Sequence, residues 1–206
     1  MHHLVLLAKS AVENYIKENK IISSPKDLPE DFLKRRAGVF VTIEKKNELR
    51  GCIGTYLPTR INIAEEVVHN AIAAATEDYR FGPIQKEELP YLSFTVYILS
   101  CPEPVKNIKE LDPRKFGIIV KTGPFTYPNE KEVALDEALP HLPPHLHLEE
   151  GSAFDGVIPY KTGLLLPDLE GVDTIEQQIE ICCQKGGIDP EREKIFIYRF
   201  TVEKYQ

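Results

Sequence analysis

The sequence predicts an α+β fold, a mainly antiparallel sheet covered by three helices. Three features of the chain carry that prediction. Two apolar, β-branched runs, 39–44 and 49–56, flank the polar break Lys45-Lys46-Asn47-Glu48, which is the pattern of a β-hairpin. Amphipathic segments at 4–19, 62–78 and 174–185 do not alternate with strands, which disfavours parallel β-α-β units. The closing run 195–202 is apolar on both faces at its start, as a central strand is.

Taken in order, the first helix shows Leu4, Val5, Ala8, Ala11, Val12, Tyr15 and Ile16 at helical spacing, with Lys9, Glu13 and Lys17 opposite. A Pro-containing loop over 23–29 follows, and Lys34-Arg35-Arg36 reads as a solvated basic run. The second helix has a strong start signal. Asn62 is placed to cap it, with Glu65 three residues on. Its apolar face runs from Ile63 and Ala64 to Ala75, and the alanines at 71 and 73–75 let it lie close to a sheet. Gly82-Pro83 forbids continuation. His69 lies one step off the stripe and reads as an edge histidine.

The run 92–99 is a strand with Phe94, Val96 and Ile98 on one face, and 117–120 is a short buried strand. Thr174 and Gln177 open the last helix as a capping box. Adjacent Cys182 and Cys183 diverge by about 100° on that helix, so they do not make a metal site by themselves.

Size and composition bound the function. With 206 residues, 42% hydrophobic and 28% charged, the chain fits a single globular domain. A net charge of -7 disfavours a broad nucleic-acid footprint. Four cysteines without a CxxC pattern suit a reducing compartment, and the protein is expected in the cytoplasm. No run approaches the roughly 18 apolar residues of a membrane span.

The chemistry-bearing stretch is Leu49-Arg50-Gly51-Cys52-Ile53-Gly54. Strict alternation puts Leu49, Gly51 and Ile53 on one face and Arg50, Cys52 and Gly54 on the other. Two glycines inside a strand mark a bulge or a close backbone approach. Here that approach coincides with a thiol and a guanidinium on one face. Cys52 equally fits a small buried hydrophobe. Downstream, Asp78 and Arg80 at the helix exit fit a mutual salt bridge, and such an Arg also fits a carboxylate or phosphate.

Together, Gly38-Val39-Phe40-Val41-Thr42, the hexapeptide, Asn70-Ala71 with Asp78-Tyr79-Arg80-Phe81, and Gly163-Leu164-Leu165-Leu166-Pro167 resemble the AMMECR domain family. The resemblance covers nearly the whole chain, with the motifs in family order. It implies a larger and a smaller part, with the hexapeptide beside the groove between them. It supplies no established reaction. In some microbes the domain is joined to, or encoded with, a Memo-type protein and a radical SAM protein, which the resemblance therefore suggests as partners.

Against that family pattern, 121–162 replaces a short link with about 40 residues. That length predicts an embellishment with structure of its own, dispensable for folding, and 129–139 fits a short helix. Within it, His145 and His147 share a face if extended, and with His141 they are weak candidates for zinc, nickel or iron. The expectation is that they form no high-affinity metal site, and no cofactor is assigned.

Three function classes follow. A binding module uses Arg50, Gly51, Gly54, Asp78 and Arg80 to cradle a small anionic ligand or a partner's carboxylate, with Cys52 lining it. An enzyme uses Cys52 as a thiolate lowered by Arg50 and Arg80. An adaptor uses the groove and the insert for protein contacts. On the first reading Gly51 is the structural glycine and Gly54 the ligand-side one, so Gly54→Ala is expected to fold nearly normally.

Overall fold

The computed structural model describes residues 2–123 and 160–206. The α+β class is borne out, with all strand pairings antiparallel among the described residues. The strands divide between two four-stranded sheets instead of forming one.

The larger sheet is built on the predicted hairpin. Strand β1 (Val39–Lys45) turns into β2 (Glu48–Thr55) through Lys46 and Asn47, both at positive φ. Two left-handed residues make the turn whose twist matches the strands it joins. Strand β3 (Leu92–Leu99) pairs with β1 on its other edge, and β8 (Val202–Tyr205) closes the order β2-β1-β3-β8. Helices α1 (His3–Glu18) and α3 (Ile63–Thr76) pack on each other and on one face of this sheet. Val39, Val41, Ile43, Val96 and Ile98 point into that core, all essentially inaccessible to solvent. The short α2 (Glu30–Lys34), absent from the sequence reading, adds buried Phe32 to the same core.

Asn62 caps α3 as predicted, its side chain accepting from the Glu65 amide at 2.9 Å. The helix also carries a fully buried carboxylate, Glu66. It accepts from the Thr55 and Thr59 hydroxyls, both at 2.7 Å, and from the Thr59 and Arg60 amides at 2.8 and 2.7 Å. Buried polar groups persist when they are satisfied in this way. Glu66 thereby ties the loop after the hexapeptide to the helix that backs it.

The smaller sheet has the order β4-β7-β5-β6, from β4 (Glu103–Pro104), β5 (Gly117–Lys121), β6 (Thr162–Leu165) and β7 (Phe196–Phe200). The closing run, expected as one central strand, splits at Thr201: β7 is interior in the smaller sheet, while β8 lies at the edge of the larger one. Helix α4 (Ile175–Gly186) starts with the predicted Thr174–Gln177 capping box and covers β5 and β6. The Thr122 amide donates to the Lys161 carbonyl at 3.1 Å, so the two ends of the insert meet side by side. The readings made for 129–139 and for His141, His145 and His147 lie outside the described residues.

The two sheets face each other across a second apolar cluster. Phe40, Tyr97 and Leu99 of the larger sheet meet Ile119, Tyr198 and Phe200 of the smaller one. Beyond this cluster the same face of the larger sheet turns polar, and Cys52 lies there.

Candidate functional site

Cross-strand register assembles the site. Thr42 of β1 lies opposite Cys52 of β2 and Thr95 of β3, and Phe40 lies opposite Gly54 and Tyr97. Directly opposed residues share a face, so Thr42, Cys52, Thr95 and Tyr97 form a strip of hydroxyls and one thiol facing the second sheet. The Thr42 hydroxyl donates to Cys52 Sγ at 3.2 Å, and its side chain also pairs with the Tyr97 hydroxyl.

Cys52 is half-buried, and burial pushes its thiol above the ordinary value. The Thr42 hydroxyl, Arg80 and Lys185 pull it back, while Asp78 adds to the rise. Desolvation wins, so the group is a neutral thiol near pH 7. Lys185 arrives from α4, on the other sheet.

Asp78 is the residue that fixes this thiol in place. Its side chain is 4% exposed and accepts from the Cys52 amide at 2.8 Å. It also takes Arg80 in a fork, Nε to Oδ1 at 2.9 Å and Nη2 to Oδ2 at 2.7 Å. Arg80 Nη2 reaches the Cys52 carbonyl at 3.4 Å. Asp78 and Arg80 thus grip both backbone polar groups of Cys52.

Arg50 is placed differently from the sequence reading. Pairing shifts register between Ile43 and Glu44, so Ile43 faces Gly51 while Glu44 faces Leu49. Arg50 is the extra residue of a β-bulge. The bulge moves Leu49 away from the Gly51 face, and it is 44% exposed. All three Arg50 nitrogens are engaged: Nε and Nη2 with the two Glu88 oxygens at 3.0 Å, and Nη1 with the Gly82 carbonyl at 2.8 Å. Lys45 joins Glu88 at 2.9 Å. This arginine ties the bulge to the segment after α3, and it does not join Arg80 around the thiol.

Neither glycine has room for a side chain. A Cβ on Gly51 would fall on the Ala74 carbonyl of α3. One on Gly54 would fall on the Phe40 ring and the Val39 carbonyl. The expectation that Gly54→Ala folds nearly normally is therefore corrected, because a backbone carbonyl in β1 occupies the space. His69 sits half-buried on α3, and burial lowers its basicity.

A recess of about 230 Å³ lies at the edge of the smaller sheet, its lining including Pro104, Val105, Lys106, Ile108, Ile195 and Phe196. No hexapeptide residue borders it. Among the described residues, no cluster of three or more His, Cys, Asp or Glu side chains is arranged to hold a metal ion, and no helix is long and apolar enough to cross a membrane.

Residues 5–144 match the AMMECR1 family model. The chain belongs to the AMMECR1 family. A protein from Thermotoga maritima is 43% identical over 206 residues, covering all of this chain and 98% of its own length. A relative from Clostridium acetobutylicum is 35% identical over 98% of this chain, which spans only 34% of that longer protein. The crystal structure of an uncharacterised protein from Pyrococcus horikoshii superposes with a TM-score of 0.73 at 29% identity, covering 98% of this chain and 88% of the other.

In this AMMECR1-family chain the sequence reading missed Thr42, Tyr97 and Lys185 as neighbours of the thiol. The hairpin register carried a signal for Thr42, and the alternation of β3 carried one for Tyr97. Lys185 comes from α4, on the second sheet's side of the seam, which no local pattern reports.

The carboxylates that organise the hexapeptide give a pH prediction. Arg80 holds Asp78 down to about 2, and Arg50 holds Glu88 down to about 2. Both folded values lie below the ordinary 3.8 and 4.5. Their stabilisation is complete above those ordinary values and is lost as pH falls through the folded ones. Thermal midpoints measured from pH 6 to pH 2 should hold steady and then fall below about pH 4.5. In Asp78→Asn the fall should be shallower. An unchanged acid profile in that variant would contradict the pairing.

Proposed function

We propose that the protein is a binding module, and that the seam beside Cys52 is a groove taking the anionic group of a small ligand or of a partner's carboxylate. The observation that supports this most is the setting of the thiol. Arg80 and Lys185 act on it from two different elements, against the single carboxylate of Asp78. The floor is a strip of hydroxyls that already bond to one another and to the thiol, so it offers a polar surface at little desolvation cost. Arg80 keeps Nη1 outside its fork with Asp78, and its side chain is 42% exposed. In this reading Arg80 and Lys185 supply the positive charge. Asp78 positions the thiol's strand, Gly51 and Gly54 permit the close packing that shapes the floor, and Arg50 holds the bulge. Memo-type and radical SAM proteins, suggested by family association, are the partners to try first for the carboxylate.

The Cys52 enzyme reading is weaker, because a nucleophile needs a lowered thiol pKa or an adjacent base. Burial moves this thiol the other way.

Acetate and inorganic phosphate are the probes, read by amide chemical shifts of the full chain. Shifts are expected at Thr42, Cys52 and Arg80. They should persist in Cys52→Ser and weaken in Lys185→Gln. Iodoacetamide should alkylate native Cys52 more slowly than a free thiol. Rapid alkylation with an apparent pKa near or below 7 would turn the assignment to the enzyme. Absence of any saturable shift would end the binding reading.

A further inference from the structure

Strand β2 is an outer strand of the larger sheet, so one edge of its backbone has no strand beside it. Along an antiparallel strand, the backbone groups of alternate residues face the paired strand and those between face away. The hydrogen bonds of Cys52 fix which residues do which. Its amide donates to Asp78 at 2.8 Å and its carbonyl accepts from Arg80 at 3.4 Å, so both groups point away from β1. The register runs without a shift from Thr42 opposite Cys52 to Phe40 opposite Gly54. The Gly54 amide and carbonyl therefore point outward as well.

The two positions are finished differently. At Cys52, Asp78 supplies an acceptor and Arg80 a donor, as a neighbouring strand would. Gly54 stands two residues on, about 7 Å along the strand. Among the described residues, no hydrogen bond reaches its outward backbone groups, and every residue from Cys52 to Pro58 is partly exposed. An open edge of this kind takes up an extended chain through main-chain hydrogen bonds.

What surrounds Gly54 also says how that chain ends. A strand antiparallel to β2 cannot run on past Gly54 toward Cys52, because Asp78 and Arg80 fill the next place. It can stop there. One residue beyond the residue opposite Gly54, a terminal carboxylate lies roughly 5 Å further along, within hydrogen-bond reach of the guanidinium at Cys52. Arg80 Nη1 is outside the fork with Asp78, and the side chain is 42% exposed. A chain end meets this site with both its backbone and its charge.

We propose that the edge of β2 beside the groove takes the C-terminal end of an extended chain of a partner protein, which pairs antiparallel with Gly54 and sets its carboxylate on Arg80. This rests on the binding reading above and names the carboxylate it receives. Acetate fills only the Arg80 end of the site.

The test uses the full chain and the peptide acetyl-Thr-Val-Thr-Val with a free carboxylate, followed by amide shifts at Cys52, Gly54 and Arg80. It is expected to bind about tenfold or more tighter than acetate, and its C-terminal amide should lose that advantage. N-methylation of the last residue but one removes the donor that faces Gly54 and should abolish the gain. N-methylation one residue earlier, on an amide that faces away, should leave it. In the free protein the Gly54 amide should exchange its hydrogen at least tenfold faster than those of Gly51 and Ile53, which face β1, and the peptide should slow it. Slow exchange at Gly54 in the free protein, equal binding of acid and amide, or equal effects of the two methylations would each overturn the proposal. A peptide that binds no tighter than acetate would overturn it and leave the anion site standing. Saturable shifts from neither would overturn both.

Discussion

Gly51→Ala is expected to destabilise the protein by roughly 1–3 kcal/mol or more, the cost of forcing extra atoms into a packed core. The new methyl would fall on the carbonyl oxygen of Ala74. A flexible side chain would swing aside cheaply, but this oxygen belongs to the backbone of α3. The helix must lift from the hairpin or the strand must bend. Lifting α3 disturbs Val67, Val68 and Ala71, all fully buried, and pulls on the four hydrogen bonds of Glu66. At this chain length each kcal/mol lowers the thermal midpoint by roughly 2–4 °C. Gly82→Ala is the control, since nothing lies within 4 Å of its Cβ position. A Gly51→Ala midpoint equal to that of Gly82→Ala would show that α3 does not rest on the strand at that point.

The hairpin and the helices it carries were legible because their signals are local. Periodicity marked α1 and α3, Asn62 and Thr174 marked helix starts, and the polar break marked the turn at Lys46-Asn47. The bulge was not legible. Alternation carried straight through 49–55 assigns Leu49 to the core face, whereas the register slip at Arg50 turns it outward. What drives that slip is the fork between Arg50 and Glu88, 38 residues apart, together with Lys45. Contacts at such separation leave no mark in a window of ten residues. The split into two sheets was hidden for the same reason. Residues 195–202 read as one strand, yet Thr201 passes the chain between sheets because Phe200 pairs toward Gly117 while Val202 pairs toward Leu99.

The site was legible in half. Cys52, Asp78 and Arg80 were singled out and do come together, because the short link from helix exit to arginine allows the fork and the hexapeptide lies beneath it. Arg50 was grouped with them on a face argument that the bulge undoes. The glycines were recognised as marks of close approach, but a strand sequence does not say what approaches. At Gly51 it is a helix backbone, and at Gly54 it is the neighbouring strand and Phe40.

The smaller half uses the same device, and it carries the second large effect. A Cβ on Gly163 of β6 would fall on the Cys182 carbonyl of α4. From the other side, a Cβ on Gly186 would meet the Gly163 amide and the Thr162 carbonyl carbon, each at 2.8 Å. Helix and strand therefore touch backbone to backbone, with no side chain between them to yield. Gly163→Ala must part α4 from β6, exposing Cys182, Cys183 and Leu165, which are buried in that contact. The expected cost is again roughly 1–3 kcal/mol or more, but it should fall on one half of the molecule. The core of β1, β2 and β3 under α1 and α3 shares none of these residues. Hydrogen exchange of the variant should show lost protection at Ile118, Val120 and Ile197, with protection at Val41, Val96 and Val68 retained. Uniform loss across both halves would mean that the apolar seam of Phe40, Tyr97, Ile119 and Phe200 couples the sheets into one cooperative unit. In that case a ligand seated between them would report on the stability of the whole chain.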